Sequence, residues 1–330
     1  MPDHIPHGEP ILVVRSSDIP ILLLQIFDPR YFRGLMKILV TGINGRLGTA
    51  IARLAAERGH EIIGISRSGW PPDQALPPGV STQQLDTADL EGMKSVMDGC
   101  QAFIHTSGLH SSHLKTHSLG DFLDINVTQV GRLVSAARSV GITRICLSST
   151  LQVQCGYTAR ASGSMIIEES MPSRADTSYS ISKCAMEVVG REMARAFDMS
   201  IVSLRLGAFG YQENAALGPK LLNLAISSTD AARATYLAVE KTGFEGEPIL
   251  IAPASPFTQA DIIEGIQDPG GILEKYYPGS CATLQQEGLT IAPSHYYSVC
   301  SIRRAKQLLD WEPSFTFESW LRLKGWQPPN

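Results

Sequence analysis

The chain has 330 residues, of which 43% are hydrophobic and 18% are charged. This balance is typical of a globular protein and excludes an intrinsically disordered one. The length allows one large α/β domain with a smaller lobe. A formal net charge of -4 argues against a basic surface for nucleic acid, and no apolar run reaches the roughly 20 residues of a membrane span. Six scattered cysteines without a C-x-x-C pair favour a reduced, cytoplasmic chain.

Residues 1–35 are interpreted as an extension outside the main fold, because charged residues and Pro20 interrupt their longest apolar run. From Met36 onward, strand and helix patterns alternate. Strands are predicted at 37–41, 61–66, 82–86, 101–106, 144–149, 200–206 and 248–253. Helices are predicted after the first strand and at 89–98, 121–140 and 178–197. Apolar strands that alternate with helices indicate a parallel sheet covered on both faces, and therefore a doubly wound α/β fold of the Rossmann type.

The alternation loosens after about residue 206. We assign 36–206 and 229–253 to the Rossmann domain, and 207–228 and 254–330 to a small C-terminal lobe that binds substrate. Clusters of Pro and Gly at 253–256 and 268–271 mark the joints of this lobe.

A glycine-rich turn, TGINGRLG, follows the first strand and precedes a helix pattern. Gly42 permits a tight turn, Gly45 lets the backbone approach a pyrophosphate, and Gly48 lets the helix pack closely on the sheet. The N–H groups at the start of the helix would face the phosphates. The turn therefore predicts a dinucleotide site, and its other members, Asn44, Arg46 and Leu47, are predicted to contact the same ligand.

The end of the second strand distinguishes NAD from NADP, since an acidic residue there would hold the ribose 2′-hydroxyl of NAD. This chain has Arg67 between two serines instead. Arg67, helped by Arg46, is suited to a 2′-phosphate, so NADP is predicted, with NAD as the alternative. Asp86, after the third strand, is a candidate partner of the adenine amino group.

Tyr179 and Lys183 lie four residues apart in a predicted helix, so their side chains share one face. Tyrosine is a poor base at neutral pH, and a nearby ammonium group stabilises its phenolate. We therefore interpret Tyr179 as a catalytic acid/base and Lys183 as the residue that activates it. A hydroxyl at the end of the fifth strand, from Ser148, Ser149 or Thr150, would hold the substrate oxygen.

In combination these motifs resemble the extended short-chain dehydrogenase/reductase family, in its NAD(P)-dependent epimerase/dehydratase branch. The resemblance covers about 36–313, and it also rests on FIHTSG at 103–108, VSLRLGAFG at 202–210 and SIRRAKQLLDWEP at 301–313. It implies a Rossmann domain with a small substrate lobe.

The resemblance also implies roles for individual residues. Thr150 is the functional hydroxyl, with Ser149 as the second choice, and Asn126 positions Lys183 or the cofactor. Thr106 and Ser107 approach the ribose and nicotinamide. Family dimers pair the two long helices, which implies a homodimer through 121–140 and 178–197.

Two departures from the family pattern bear on the substrate. Gln154 and Cys155 replace the usual aromatic-glycine pair after the hydroxyl cluster, and the interval from Arg205 to Asp230 is short for a nucleotide-sugar enzyme. Histidines at 105, 110, 113 and 117 are interpreted as part of a loop that overhangs the site. A metal site is the less favoured reading, because no Cys or carboxylate before Asp121 completes a ligand set.

The sequence thus predicts an NAD(P)-dependent oxidoreductase that transfers a hydride at a secondary alcohol or carbonyl of a sugar-like or small polar substrate. One alternative is an epimerase or dehydratase that retains its NAD(P) and acts on a sugar or nucleotide-sugar. A second alternative is a non-catalytic protein that senses NADP(H).

Overall fold

The computed structural model describes residues 34–157, 166–210, 217–297 and 299–328, so nearly all of the predicted extension 1–35 lies outside the described residues. A seven-stranded sheet forms the centre of the molecule. Its strands are β1 (Lys37–Thr41), β2 (Glu61–Ser66), β3 (Val80–Gln84), β4 (Ala102–His105), β5 (Arg144–Thr150), β6 (Ser200–Leu206) and β7 (Glu245–Ile251). All pairs are parallel, in the order β3-β2-β1-β4-β5-β6-β7. The predicted Rossmann-type doubly wound sheet is confirmed.

Helices on both faces of the sheet connect its strands, and further helices follow β7. They are α1 (Arg46–Arg58), α2 (Leu90–Met97), α3 (Leu119–Leu123), α4 (Gln129–Ser139), α5 (Ser178–Phe197), α6 (Leu217–Lys220), α7 (Ser228–Glu240), α8 (Gln259–Gly265), α9 (Pro269–Tyr276), α10 (Ser280–Gln286), α11 (Arg303–Leu309) and α12 (Phe317–Leu323). A π-helical turn (Asp124–Thr128) joins α3 to α4. No helix in the described ranges is both long and apolar enough to cross a membrane.

Alternation along the central strands divides the core into two apolar clusters. Ile38 and Val40 of β1 face one cluster, which includes residues of α1, α7 and α11. Leu39 faces the other, which includes residues of α2, α4 and α5. Side chains of a strand point alternately to the two faces of its sheet, so burial on both faces requires the continuous apolar runs seen in the sequence.

The predicted boundaries differ most at the two edge strands. The sequence predicts β3 at 82–86 and β7 at 248–253, whereas they span Val80–Gln84 and Glu245–Ile251. Both begin or continue with polar residues, because an edge strand pairs on one side only and is partly exposed.

The region predicted as a C-terminal lobe divides between two cores. A third apolar cluster, separate from the sheet, contains Leu217, Leu221, Phe257, Tyr296 and Trp320. Residues 300–311, however, belong to the sheet core, where Trp311 is fully buried and α11 packs against β7 and α7. The lobe predicted at 254–330 is therefore not continuous along the chain.

Candidate active site

A cavity of about 810 Å³ opens at the carboxyl ends of β1, β4, β5 and β6. The chain runs from β1 to β2 on one side and continues through β4 on the other. Ligands bind in the crevice at such a switch point of a doubly wound sheet. This cavity is lined by residues that the sequence predicts as site residues, namely Asn44, Arg46, Leu47, Thr106, Ser107, Thr150, Tyr179 and Lys183.

The glycine turn has the close geometry that its sequence predicts. Gly42 has a φ of +71°, and a Cβ on this residue would lie 2.8 Å from Thr106 Oγ1. A Cβ on Gly48 would lie 2.2 Å from the Gly42 carbonyl oxygen, so α1 is able to pack this close only with glycine there. The N-cap residue of α1 is Gly45, which has no side chain to cap the helix, and the first turn of α1 has no acidic residue. The open N–H groups fit a pyrophosphate.

The two ends of the turn point to different halves of the site. Asn44 Nδ2 donates to Ser68 Oγ (2.6 Å) and to the Gly69 carbonyl (3.1 Å), in the loop after β2. Arg46 reaches the opposite way and lies against Gly210, in the loop after β6. The prediction that Arg46 assists Arg67 at a 2′-phosphate is therefore wrong for this geometry, because the turn sends the Arg46 side chain away from β2.

Arg67 and Asp86 lie at the ends of β2 and β3 and are not among the residues that line the cavity. Arg67 is exposed, and its carbonyl accepts a hydrogen bond from Gln84. Asp86 Oδ1 accepts from the Ala88 N–H (2.9 Å), which fixes the local turn. Both stay predicted contacts of the adenosine half of a dinucleotide.

Asn126 lies in the π-helical turn and is fully buried behind the site. Its Nδ2 donates to the Leu109 carbonyl (2.9 Å) and to Ser182 Oγ (3.0 Å), and its Oδ1 accepts from the Leu109 N–H (2.9 Å). Asn126 thus joins the loop after β4 to α5. On the same loop, Thr106 Oγ1 donates to the Thr41 carbonyl (2.6 Å), which joins the ends of β4 and β1.

Helix α5 brings Tyr179 and Lys183 into the cavity. Thr177 caps its N-terminus by accepting from the Ser180 N–H, so Tyr179 lies in the first turn. Its ring packs against Phe122 at a centroid distance of 6.3 Å. One turn later, the Lys183 ammonium donates to the Ser148 carbonyl (2.8 Å) at the end of β5.

The three hydroxyls of β5 separate according to strand alternation. Thr150 hydrogen-bonds the Tyr179 phenol and accepts from the Gln152 N–H (3.2 Å). Ser149 Oγ donates to Glu187 Oε1 (2.5 Å), on the other face of the strand. Ser148 Oγ lies buried in the cavity wall and has no hydrogen-bond partner among the described residues. The structure therefore brings Thr150, and not the Ser149 hydroxyl, to Tyr179.

Burial dominates the protonation of the central pair. It raises the pKa of Tyr179, and the hydrogen bond from Thr150 lowers that pKa again. Burial lowers the pKa of Lys183 to about 8, and the negative charge of Glu187 opposes this decrease. The activation of the phenol by Lys183 stays a prediction, and the ammonium group donates to the backbone carbonyl of Ser148. The site favours a neutral phenol that can donate a proton.

Sequence reasoning missed the ion pair behind Lys183. Glu187 accepts from Arg205 Nε (3.0 Å) and Nη2 (2.7 Å), and both side chains are buried. The sequence spacing could have indicated this pair, because Glu187 follows Lys183 by four residues and so lies on the same side of α5.

Gln154, which departs from the family pattern, is buried and donates to the carbonyls of Glu168 and Met171. It supports the wall of the site and does not line the cavity.

The four histidines separate into two groups. His105 is buried on β4, where Nδ1 lies 2.9 Å from Thr41 Oγ1, and burial lowers its pKa to about 3. His110, His113 and His117 follow each other along the loop after β4, with ring centroids 4.4 and 5.5 Å apart. No group of three His, Cys, Asp or Glu side chains in the described ranges is arranged to hold a metal ion.

The sequence of the chain is similar to curated enzymes over part of its length. It is 34% identical over 121 residues to 2-alkyl-3-oxoalkanoate reductase of Stenotrophomonas maltophilia, which is 36% of this chain and 34% of the relative. It is 27% identical over 172 residues to uronate dehydrogenase of Pseudomonas putida, which is 52% of this chain and 60% of the relative. The matched segments thus span less than two thirds of these relatives.

Solved structures match over most of the chain. A UDP-glucose 4-epimerase of Thermotoga maritima, solved with UDP-glucose, has a TM-score of 0.64 at 19% identity, and the match covers 88% of this chain and 97% of that one. Glucuronic acid dehydrogenase of Chromohalobacter salexigens has a TM-score of 0.63 at 19% identity, covering 90% and 91%. At this identity the likeness shows the fold alone. The family model described as the NAD dependent epimerase/dehydratase family matches residues 38–224, more than half of the chain, and the protein belongs to that family.

Proposed function

We propose that the protein transfers a hydride between a nicotinamide cofactor and a secondary alcohol or carbonyl group of a small polar substrate, with Tyr179 as the acid/base. One observation carries this proposal. Tyr179, its hydrogen-bond partner Thr150 and the Lys183 ammonium meet in the cavity that begins at the glycine turn. The curated relatives are named as a reductase and a dehydrogenase, in agreement with this chemistry.

The residues present fit a dinucleotide. The glycine turn and the open N-terminus of α1 suit the pyrophosphate, and the ammonium group of Lys183 has donors left for ribose hydroxyls. Ser148 Oγ, which no described side chain or backbone group binds, adds a polar group in the same wall. When bound, the nicotinamide supplies or accepts the hydride.

In the direction of reduction, the Tyr179 phenol donates its proton to the carbonyl oxygen of the substrate. Thr150 holds the same oxygen, because its hydroxyl can both donate and accept. Phe122 and Leu109 pack against the phenol and exclude water from that side. In the direction of oxidation Tyr179 takes the proton from the substrate alcohol and must first be a phenolate. This requires a lower pKa of Tyr179 than burial alone allows, because burial raises that pKa.

We propose NADP as the preferred cofactor, since Arg67 stands where an acidic residue would select NAD. Arg67 is the cation proposed for the 2′-phosphate, because Arg46 extends toward Gly210 in the loop after β6. Titration of the protein with NADPH and NADH tests it, and the Arg67→Gln variant is expected to bind NADPH about tenfold more weakly. A preference of the unaltered protein for NADH would contradict the role of Arg67.

The mode of turnover is decided by following the hydride. The purified protein is denatured, the released nucleotide is identified, and fresh protein is mixed with 4-deuterated NADPH and a panel of oxo acids, uronates and hexose derivatives. We expect deuterium on the product carbon and net consumption of NADPH. Tightly retained cofactor without net consumption would favour the epimerase or dehydratase. Binding of NADPH without turnover of any compound would contradict the enzyme and favour the sensor.

A further inference from the structure

The cavity carries an excess of positive charge. The charge comes from Arg46 and Lys183, which line the cavity together with His110, and no Asp or Glu occurs among its described lining residues. Lys183 lies deep in the cavity and is buried, whereas Arg46 is exposed near the opening. Arg46 makes no hydrogen bond or ion pair within the described part of the chain, so its five N–H donors are available to a ligand.

The position of Arg46 assigns this charge to one half of the cavity. A Cβ on Gly210 would lie 2.6 Å from Arg46 Cδ and 3.1 Å from both Nε and Nη1. Gly210 follows β6, and in the sheet β6 is separated from β1 by β4 and β5. The guanidinium group therefore extends over the half of the cavity that contains Tyr179. The adenosine half, where Asn44 bonds to the loop after β2, lies in the other direction.

His110 belongs to the same region. It lies in the loop after β4 and lines the cavity, and Ser112 Oγ lies 3.2 Å from its Nδ1. Burial lowers the pKa of His110, as do the positive charges of His113, Arg46 and Lys183. The imidazole is thus close enough to Arg46 and Lys183 to feel both charges. In its neutral form it can donate one further hydrogen bond from a ring nitrogen.

We propose that Arg46 and His110 bind an anionic group of the substrate, either a carboxylate or a phosphate. A guanidinium group matches the planar oxygen pair of a carboxylate and two oxygens of a phosphate. The pyrophosphate of the cofactor has its own donors in the glycine turn and the N-terminus of α1, so Arg46 remains for a second anion. This inference rests on the proposed function for the identity of the site, but not for the binding of the anion.

Binding measurements test the inference separately from turnover. D-glucuronate and D-glucose 6-phosphate are each compared with D-glucose, and acetoacetate with ethyl acetoacetate, by calorimetric titration in saturating NADP⁺. We expect at least one anion to bind more tightly than its neutral partner, and Arg46→Gln to reduce that preference by about 10- to 100-fold. Tighter binding of D-glucuronate or acetoacetate than of its neutral partner would identify the group as a carboxylate, and tighter binding of D-glucose 6-phosphate would identify it as a phosphate. Arg46→Lys keeps the charge and should retain part of the preference.

Arg67→Gln is the matched control, because it removes an exposed arginine from the other half of the site. It should weaken NADPH binding and leave the anion preference unchanged, whereas Arg46→Gln should leave the dissociation constant of NADPH within about twofold. The inference is overturned if no anion binds better than its neutral partner, or if Arg46→Gln weakens NADPH binding and both members of each pair equally. The second result would assign Arg46 to the pyrophosphate. Absence of all turnover, with the anion preference intact, would overturn only the proposed function.

Discussion

Thr150 and Ser149 are adjacent on β5, yet their hydroxyls belong to different networks. Thr150 hydrogen-bonds Tyr179 at the cavity, and Ser149 donates to the buried Glu187. The two hydroxyls are separated because neighbouring side chains of a strand point to opposite faces of its sheet. A catalytic role therefore fits Thr150 and a structural role fits Ser149.

Substitution of each hydroxyl tests that separation. Thr150→Val should lower kcat by about 10²-fold, because the substrate oxygen loses one of its two hydrogen-bond partners. Ser149→Ala should instead lower the free energy of unfolding by about 1–3 kcal/mol, because a buried carboxylate loses a donor. Steady-state kinetics and urea unfolding of both variants provide the measurement. Equal losses of kcat in the two variants would contradict the assignment.

The buried carboxylate of Glu187 influences the protonation of Lys183. Its negative charge raises the pKa of Lys183 against the effect of burial, and the net value is about 8. The ammonium form is complete well below pH 8 and is lost as the pH rises through that value. The neutral phenol persists to higher pH, because burial raises the pKa of Tyr179. Lys183 is therefore the first of the two to lose its proton.

The pH profile of carbonyl reduction should follow Lys183. We expect kcat/KM to fall above pH 8, and Glu187→Gln to move this fall to lower pH by about one unit, since the supporting negative charge is gone. The variant also leaves Arg205 without its counter-charge, which costs stability, so rates are normalised to the fraction that binds NADPH. An unchanged alkaline fall in Glu187→Gln would show that Glu187 does not act on Lys183.

The periodicity of apolar residues predicts most of the helices and strands. The sequence predicts β1, β2, β6 and α5 with the bounds that the structure has. The strands are continuous apolar runs, and Thr177 caps an amphipathic α5. The direction of Arg46 was not predictable, because it depends on the loop after β6, which is distant in sequence. The π-helical turn was missed as well, because one inserted residue hardly disturbs helical periodicity.

That turn gives a prediction for Asn126. Asn126→Ala should lower the free energy of unfolding by about 2–4 kcal/mol, because it leaves the N–H and carbonyl of buried Leu109 without partners. It should also lower kcat, since the loop after β4 loses its attachment to α5. Ser182→Ala is the control, because it removes only one of the three hydrogen bonds of Asn126. If both variants unfold at the same urea concentration, Asn126 does not hold the loop.

The whole molecule combines a sheet with two covering cores and a separate apolar cluster at its C-terminal side. The cavity lies between the sheet and the separate apolar cluster. Leu206 and Gly207 line it at the end of β6, and Leu224 lines it from the segment that leads into that cluster. A border near residue 207 stays a prediction of the sequence, and residues 300–311, which the sequence assigns to the lobe, pack in the sheet core. Pairing of two copies through α3, α4 and α5 stays a prediction, and Ile181 and Val188 are exposed along α5.

Whether Tyr179 exchanges a proton with the substrate is tested by the Tyr179→Phe variant, measured in NADPH-dependent turnover beside the unaltered protein. The substitution removes one hydroxyl and keeps the ring that packs against Phe122. We predict that kcat falls by about 10²- to 10⁴-fold, while the dissociation constant of NADPH and the unfolding midpoint stay close to those of the unaltered protein. Turnover that continues at the original rate would contradict the assignment of Tyr179 as the group that exchanges a proton with the substrate.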